Sequence, residues 1–373
     1  MGQRAREKKN KRALIILFIL GFALGNSVTN VILQAEESEI HISIIYSSEK
    51  ASWMTIAYTD FLEYWDQNHD EKILIDMHPY GSSDSVISIL NGEIFPTIWS
   101  PASSLWIPFL NTKWDAMASH SGSIVNTEDV VRIIFSPIVI ATWEAFNNTY
   151  GMNGLQDLHD LCTDPGVDLK LAHTDPRLSN SGYMSVIMAL SAASGIDSEN
   201  LEMDTLTDES NQQWLTELES RAVLYGKSTG FLARYMKSSG PDALTVAMLY
   251  ENLITDISSE ATGGKVIAVY PEEGMMYSDH PFCIMDADWI SPEQQMVAQE
   301  FLDFLNQTET VESAIQYGFR PIDSTIPLDP NVFNYETNGI KMNLNAPEMK
   351  SPSDGEVLLR IPDLWQLCKA TTN

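Results

Sequence analysis

Ser47-Ser48-Glu49-Lys50 sets a serine three residues ahead of a lysine, the S-x-x-K spacing of serine acyl-enzymes, and Lys227-Ser228-Thr229-Gly230 lies close to the K-T-G that would accompany it. The context argues against that chemistry. Such a serine opens a buried helix, whereas Ser47 closes an apolar, strand-like run, and no S-D-N follows. No G-x-S-x-G elbow is present, so the sequence assigns no nucleophile. The seven histidines include no H-x-x-x-H pair, which leaves a zinc site unsupported. Thr262-Gly263-Gly264-Lys265 lacks P-loop spacing and precedes a strand rather than a helix, so it does not cradle a nucleotide.

A second pattern is more consistent. Small polar clusters stand where strand-like runs give way to helix-like ones: Ser47-Ser48, Gly81-Ser82-Ser83, Ser100 with Ser103-Ser104, Ser179-Asn180-Ser181 and Ser228-Thr229. In open α/β sheets, ligands bind beyond the carboxyl ends of the strands. Helix starts there offer unpaired N–H groups and a dipole that favours an anion or a polar oxygen. Any one cluster reads equally as an N-cap. Five of them together point to a solute cleft lined by hydrogen-bond donors.

The elements that must position these clusters are read from periodicity. Residues 39–47 are an Ile-rich strand, 51–69 a helix with Trp53, Ile56, Ala57, Phe61 and Trp65 near one stripe, 73–81 a strand, 83–93 a short helix and 95–101 a strand. The run 130–143 is long and β-branched, enough to cross between two domains. Beyond it come a helix over 154–162, a strand over 169–176 and a helix over 181–195, then an acidic loop over 196–210. Helices are expected over 212–226 and 240–254, strands over 264–274 and 281–287, and a helix with a Ser-Pro start over 291–306. After residue 326 the chain reads as a wrapping tail. Alternating strands and helices imply an α/β fold with largely parallel sheets.

Composition narrows the partners. The 373 residues suffice for two domains and carry a net charge of −29. The first twelve residues hold six basic side chains and one acid, so the rest stands near −34. Such a chain repels phosphate backbones, and nucleic acid is excluded as a partner. The basic start precedes the apolar run 13–25, the pattern of a secretory signal; extended to Leu33, it is about the length of an uncleaved anchor. Either reading puts residues 36–373 outside the cell and allows membrane contact through 13–33. Cys162, Cys283 and Cys368 form no CxxC. One disulfide is compatible with that location, and buried unpaired thiols equally so.

In these stretches the chain resembles extracellular solute-binding proteins of the type II periplasmic-binding-protein fold, in the subgroup related to molybdate- and sulfate-type binders that are often joined to von Willebrand factor A domains. "YSSEKASWM" (46–54), "FPTIWSPASSLW" (95–106), "FSPIVIATWEAF" (135–146) and "HTDPRLSNSGYMSVI" (173–187) carry the likeness. So do "GPDALTVAMLYENLI" (240–254), the run from Val269 to Asn306 and "YGFRP" (317–321). The likeness covers about residues 39–325. No D-x-S-x-S metal motif is present, which suggests the binding module alone.

The resemblance implies an α/β, two-lobed Venus-flytrap fold behind an N-terminal hydrophobic segment (1–35), with 38–137 plus 275–330 as lobe one, 138–274 as lobe two and 331–373 as the tail. It implies cleft-liners at Ser47, Ser48, Ser82, Ser83, Ser100, Ser181, Ser228 and Thr229, with Tyr250, Glu251 and Asp279 behind them. Tyr250 and Glu251 read equally as a helix end, and Asp279 as the support of a turn. It implies neither catalysis, cofactor nor metal. The expected function is capture of a small polar solute, an oxyanion by preference, for the permease of an ABC-type transporter. A tethered sensory or adhesion ectodomain is the alternative, and a serine acyl-hydrolase using Ser47 and Lys50 a more distant one.

Overall fold

The computed structural model describes residues 39–117, 122–258 and 260–370. The expected signal or anchor segment lies outside them. Among the described residues no helix is long and apolar enough to cross a membrane.

The strands are β1 (Ile40–Ser47), β2 (Ile73–Tyr80), β3 (Ile98–Ser100), β4 (Ile134–Trp143), β5 (Leu171–Thr174), β6 (Ala222–Gly226), β7 (Val246–Tyr250), β8 (Val266–Val269), β9 (Met275–Ser278), β10 (Cys283–Ile284), β11 (Arg320–Pro321) and β12 (Glu348–Met349). They form two sheets. The first has the order β10-β3-β1-β2, with β1 parallel to β2 and β3, and β10 antiparallel at the edge. The second runs β12-β9-β4-β7-β5-β6, and β4 also pairs with β8 and β11. Helices cover the sheets, making two lobes of mixed α/β structure.

In the first lobe the helix Ala51–Asn68 buries Trp53, Ala57, Phe61 and Trp65, four residues apart on one face, with Met54 beside them. Phe61 meets Phe301 of the helix Pro292–Leu305 edge-on at 5.0 Å. That second helix starts in a capping box: Ser291 accepts from Gln294 N–H while the Gln294 side chain accepts from Ser291 N–H. In the second lobe the helix Asn180–Ser194 is buried along most of its length and stops at Gly195, whose φ of 67° suits glycine.

β4 joins the lobes. Ile133 and Ile134 pack into an apolar cluster of the first lobe, whereas Ile138 to Ala141 and Trp143 pack into a larger cluster that joins the second lobe's core to Trp99, Trp106 and Leu110 of the first. The strand is therefore buried on both faces and reads as a nearly unbroken apolar run.

Three sequence expectations are corrected. The helix expected over 212–226 is the helix Glu209–Glu219, which ends before β6. Residues 222–226 pair with β5, and that pairing overrides the helical spacing. The helix expected over 240–254 is instead β7, fully buried between β4 and β5, followed by a short helix Asn252–Ile257. A short apolar run has no periodicity that separates strand from helix. The acidic stretch 196–210 contains the helix Met203–Thr207 and the Asp208 cap of the next helix. The tail carries a helix, Gly355–Ala370, packed on the helices Glu209–Glu219 and Asn180–Ser194.

Candidate functional site

The carboxyl ends of β1, β2, β3, β5, β6 and β7 face one seam between the lobes. Cross-seam hydrogen bonds define it: Gly230 N–H donates to Ser48 Oγ at 3.2 Å, Asn252 Nδ2 to Glu49 O at 3.2 Å, and Trp106 Nε1 to Asn180 Oδ1 at 2.8 Å. Asp84 N–H donates to Leu178 O at 3.3 Å. Two glycines permit this approach. A Cβ on Gly81 would lie 2.4 Å from Leu178 O, and one on Gly230 would lie 2.9 Å from Ser48 O.

Most of the residues expected to line a cleft stand along this seam. Ser47 is 3 % exposed and its Oγ has no hydrogen-bond partner. Ser82 Oγ accepts from Ala102 N–H, and Ser83 lines a groove at the seam's edge. Ser100 Oγ accepts from Lys50 Nζ at 2.7 Å. Ser181 Oγ lies 2.8 Å from Thr174 Oγ1 and 2.6 Å from Thr229 Oγ1, a chain of buried hydroxyls. Tyr250 Oη accepts from Asn180 Nδ2 at 2.9 Å, and burial raises its phenol far above the ordinary range.

Three residues are engaged elsewhere. Ser228 caps its own helix by accepting from Phe231 N–H. Asp279 accepts from Ser104 N–H, Ser104 Oγ and Arg132 Nε, which holds the turn after β3. Glu251 is fully buried, with one oxygen 2.7 Å from Arg320 Nε and the other 2.9 Å from Arg320 Nη2 and bonded to Tyr270 Oη. The same Arg320 donates to the carbonyls of Lys341 and Met342, so Glu251 anchors the tail through it.

The sequence reading missed the charged part of the seam. Lys50 Nζ spends its three protons on Ser100 O, Ser100 Oγ and Pro101 O, so it serves β3 rather than Ser47; burial brings its pKa down to about 7, against the pull of Glu49, Cys283 and Asp279. Glu49, 4 % exposed, stands with Oε1 3.3 Å from His280 Nδ1, an ion-pair distance without hydrogen-bond alignment. Burial raises the Glu49 carboxyl, but His280 and Lys50 close by outweigh it and hold it below the usual range. Burial lowers His280, with the Glu49 contact offsetting only part. His280 takes a φ of 40°, a conformation a bulky side chain adopts only under tertiary constraint. Its N–H donates to Ala102 O, so Ser82 and His280 flank the same residue.

Five buried polar atoms of the seam have no hydrogen-bond partner among the described residues: Ser47 Oγ, Glu49 Oε1, Asn252 Oδ1 and both His280 ring nitrogens. Unsatisfied buried polar groups cost roughly 1–3 kcal/mol each, so such a group of them marks a place for a ligand or water. Among the described residues no three His, Cys, Asp or Glu side chains converge as a metal cluster. Two grooves flank the seam. One of about 470 Å3 is polar and lined by Ser48, Glu49, Ser52, Arg234 and Asp256; the other, of about 710 Å3, is lined by Trp106, Phe109, Tyr183 and the tail helix. Position directly after Ser48 was the one sequence signal for Glu49; His280 and Asn252 had none.

The comparisons bear on the whole architecture. A family model described as bacterial extracellular solute-binding protein matches residues 45–320. No curated protein matches the chain in sequence. Among solved structures, the substrate-binding protein of an ABC transporter from Agrobacterium tumefaciens superposes with a TM-score of 0.60 at 12 % identity, over 90 % of this chain and 96 % of that one. Maltose-bound MalE3 of T. maritima gives 0.60 at 14 %, over 89 % and 94 %. A periplasmic thiamin binding protein gives 0.57 at 11 %, over 88 % and 96 %. At these identities the likeness is one of fold.

Proposed function

The chain belongs to the bacterial extracellular solute-binding proteins, and from that premise we propose that it captures a small polar solute at the seam between its lobes and delivers it to the permease of an ABC-type transporter. The observation that carries this reading is the convergence of strand ends from both lobes on one buried seam with five unpartnered polar atoms. A solute bridging both lobes stabilises the closed form by its differential affinity for it.

An anionic group on that solute is the finer part of the proposal, in line with the resemblance to molybdate- and sulfate-type binders. The helices Ser82–Leu90 and Asn180–Ser194 begin without side-chain caps, one in each lobe. The N–H groups of Ser82, Ser83, Asn180 and Ser181 have no acceptor among the described residues. Two helix starts on opposite lips of a seam suit anionic oxygens. The distant surface charge is screened within ~10 Å at ordinary salt. Action outside the cell, held by residues 13–33 where these are retained, and the absence of catalysis complete the proposal.

A thermal-shift and calorimetric screen of the full chain tests it, with oxyanions, amino acids, sugars, polyamines and metal ions as probes. A binder must raise the melting temperature in proportion to its saturation. A chain that no small solute stabilises would overturn the reading.

A further inference from the structure

We propose that the groove between the first lobe and the tail helix is a second binding site, and that it takes a small compound carrying an aromatic ring. This goes beyond the seam reading and does not rest on it, because none of the residues with the five unpartnered atoms lines this groove.

Three parts of the chain build it. The first-lobe helix Trp106–Asp115 contributes Trp106 and Phe109, the second lobe contributes Tyr183, and the tail helix contributes Leu358, Leu359 and Pro362. The proline fixes the tail wall. Pro362 has no N–H, so the carbonyl of Leu358, four residues before it, loses its regular helical bond. Tyr183 Oη donates to that oxygen at 2.5 Å and holds the tail helix on the second lobe. Trp106 Nε1 is likewise spent on Asn180 Oδ1. The polar atom of each ring is thus taken, and what Trp106 and Tyr183 offer the groove is carbon.

The rings carry the class of the ligand. Trp106 meets Tyr183 edge-on at 5.4 Å and Phe109 at 5.9 Å, so a line of aromatic side chains crosses from one lobe to the other. The tail adds the half-buried Leu358 and Pro362 and the side chain of Leu359, which is 48 % exposed. A solute ring gains edge-to-face or offset contacts on such walls beyond the area it buries. The volume of about 710 Å3 and the carbon walls with a few polar groups match ordinary small-molecule sites. A slot with three walls is unlike the broad face that a stable protein partner needs. The rim carries Lys113 and Arg177 as well as Asp354 and Glu356. Arg177 is already held by two bonds to Asp175, and Asp354 Oδ1 accepts from Glu356 N–H. With both signs of charge present, the rim admits an acid or an amine on the ring, and the ring itself sets the class.

The test is isothermal titration of the full chain and of Leu359→Asp with indole, indole-3-acetate, tryptamine, phenylacetate and cyclohexylacetate, together with sedimentation of both chains. At least one indole compound is expected to bind one to one, and phenylacetate to bind at least tenfold more tightly than cyclohexylacetate, which has the same carbon skeleton without the flat ring. The exposed Leu359 side chain can be replaced without touching the core, so Leu359→Asp should keep the parent's circular-dichroism spectrum and melting temperature while weakening the ring compounds at least tenfold. Leu359→Met should bind them as the parent does. Ring compounds that fail to bind, that bind Leu359→Asp as tightly as the parent, or that bind no better than cyclohexylacetate would overturn the assignment. A parent chain that self-associates where Leu359→Asp does not, with no ring compound bound, would overturn it in favour of a second copy covering the groove. Each of these failures leaves the seam reading standing, since the seam atoms lie outside this groove.

Discussion

Trp106 Nε1 of the first lobe donates to Asn180 Oδ1 of the second at 2.8 Å, in a buried position at the mouth of the seam. The same amide donates to Tyr250 Oη and Ser278 Oγ. One indole therefore orients an amide that organises the floor of the opposite lobe. Trp106→Phe removes the bond and is expected to cost the closed form ~1 kcal/mol, about fivefold in the open–closed equilibrium. Solute affinity should fall by that factor and the radius of gyration of the saturated chain should rise. Identical scattering curves and affinities would mean that this bond does not hold the seam.

Gly81 gives a cleaner separation of closure from stability. Its φ of −69° and ψ of 144° are open to alanine, so the backbone accepts the change. The added Cβ would meet Leu178 O at 2.4 Å, which only parting of the lobes relieves. Gly81→Ala should fold and melt as the parent does without solute, yet bind solute more than tenfold more weakly. A parental affinity would show that the lobes close without this contact.

Arg320 and Glu251 form a bidentate pair in the core, where both side chains are nearly inaccessible. Arg320→Met leaves the Glu251 carboxylate buried without its partner, and losses on breaking such pairs run to roughly 3–5 kcal/mol. It also frees the tail carbonyls of Lys341 and Met342. Urea unfolding should show a loss of that order, and double replacement Glu251→Leu with Arg320→Met should recover part of it. A single variant as stable as the parent would contradict the role assigned to the pair.

His173 and Glu219 make a second buried pair, 2.9 Å apart, with Tyr225 Oη also donating to Glu219. Burial lowers His173, but Glu219, the Thr174 carbonyl and Asp175 outweigh it, so its folded pKa lies above the ordinary 6.5. Burial raises Glu219, but His173, Tyr225 and Trp365 outweigh it and hold it below the ordinary 4.5. A raised histidine contributes stability that is complete below its unfolded pKa and lost as pH climbs through the folded one; a lowered carboxyl loses its share as pH falls. The pair is thus at full strength between pH 4.5 and 6.5 and weakens on the alkaline side as His173 titrates. The melting-temperature gap between the parent and His173→Gln should be widest there and shrink toward pH 9. A gap that widens with pH would reverse the assignment.

Cys162, Cys283 and Cys368 are buried thiols, and burial pushes Cys162 and Cys283 up to about 12 and Cys368 to about 11. At neutral pH they present almost no thiolate, the reactive form. Alkylation by iodoacetamide should be negligible in the native chain and complete at three sites in denaturant. Rapid native labelling would show that one of them is reachable.

Local chemistry made much of this legible in advance. The strand ending at Ser47, the helix carrying Trp53, Phe61 and Trp65, and the Ser-Pro start of the helix Pro292–Leu305 follow from spacing and caps within a few residues of one another. The polar clusters at strand ends were visible for the same reason, since a strand-to-helix turn needs small polar residues whatever it binds.

Tertiary structure decided the rest. Residues 222–226 and 246–250 became strands because β5 stands between them, a neighbour 50 to 75 residues away along the chain that no local period encodes. Glu251 and Asp279 are engaged by Arg320 and Ser104, partners 69 and 175 residues away along the chain. Glu49 and His280 are 231 positions apart and meet only when β1 and the residues before β10 share a sheet. Sequence thus determined which short segments turn polar where strands end. Which of those polar atoms are left without partners was decided by packing, because a buried hydrogen bond depends on donor–acceptor geometry that only the assembled lobes define.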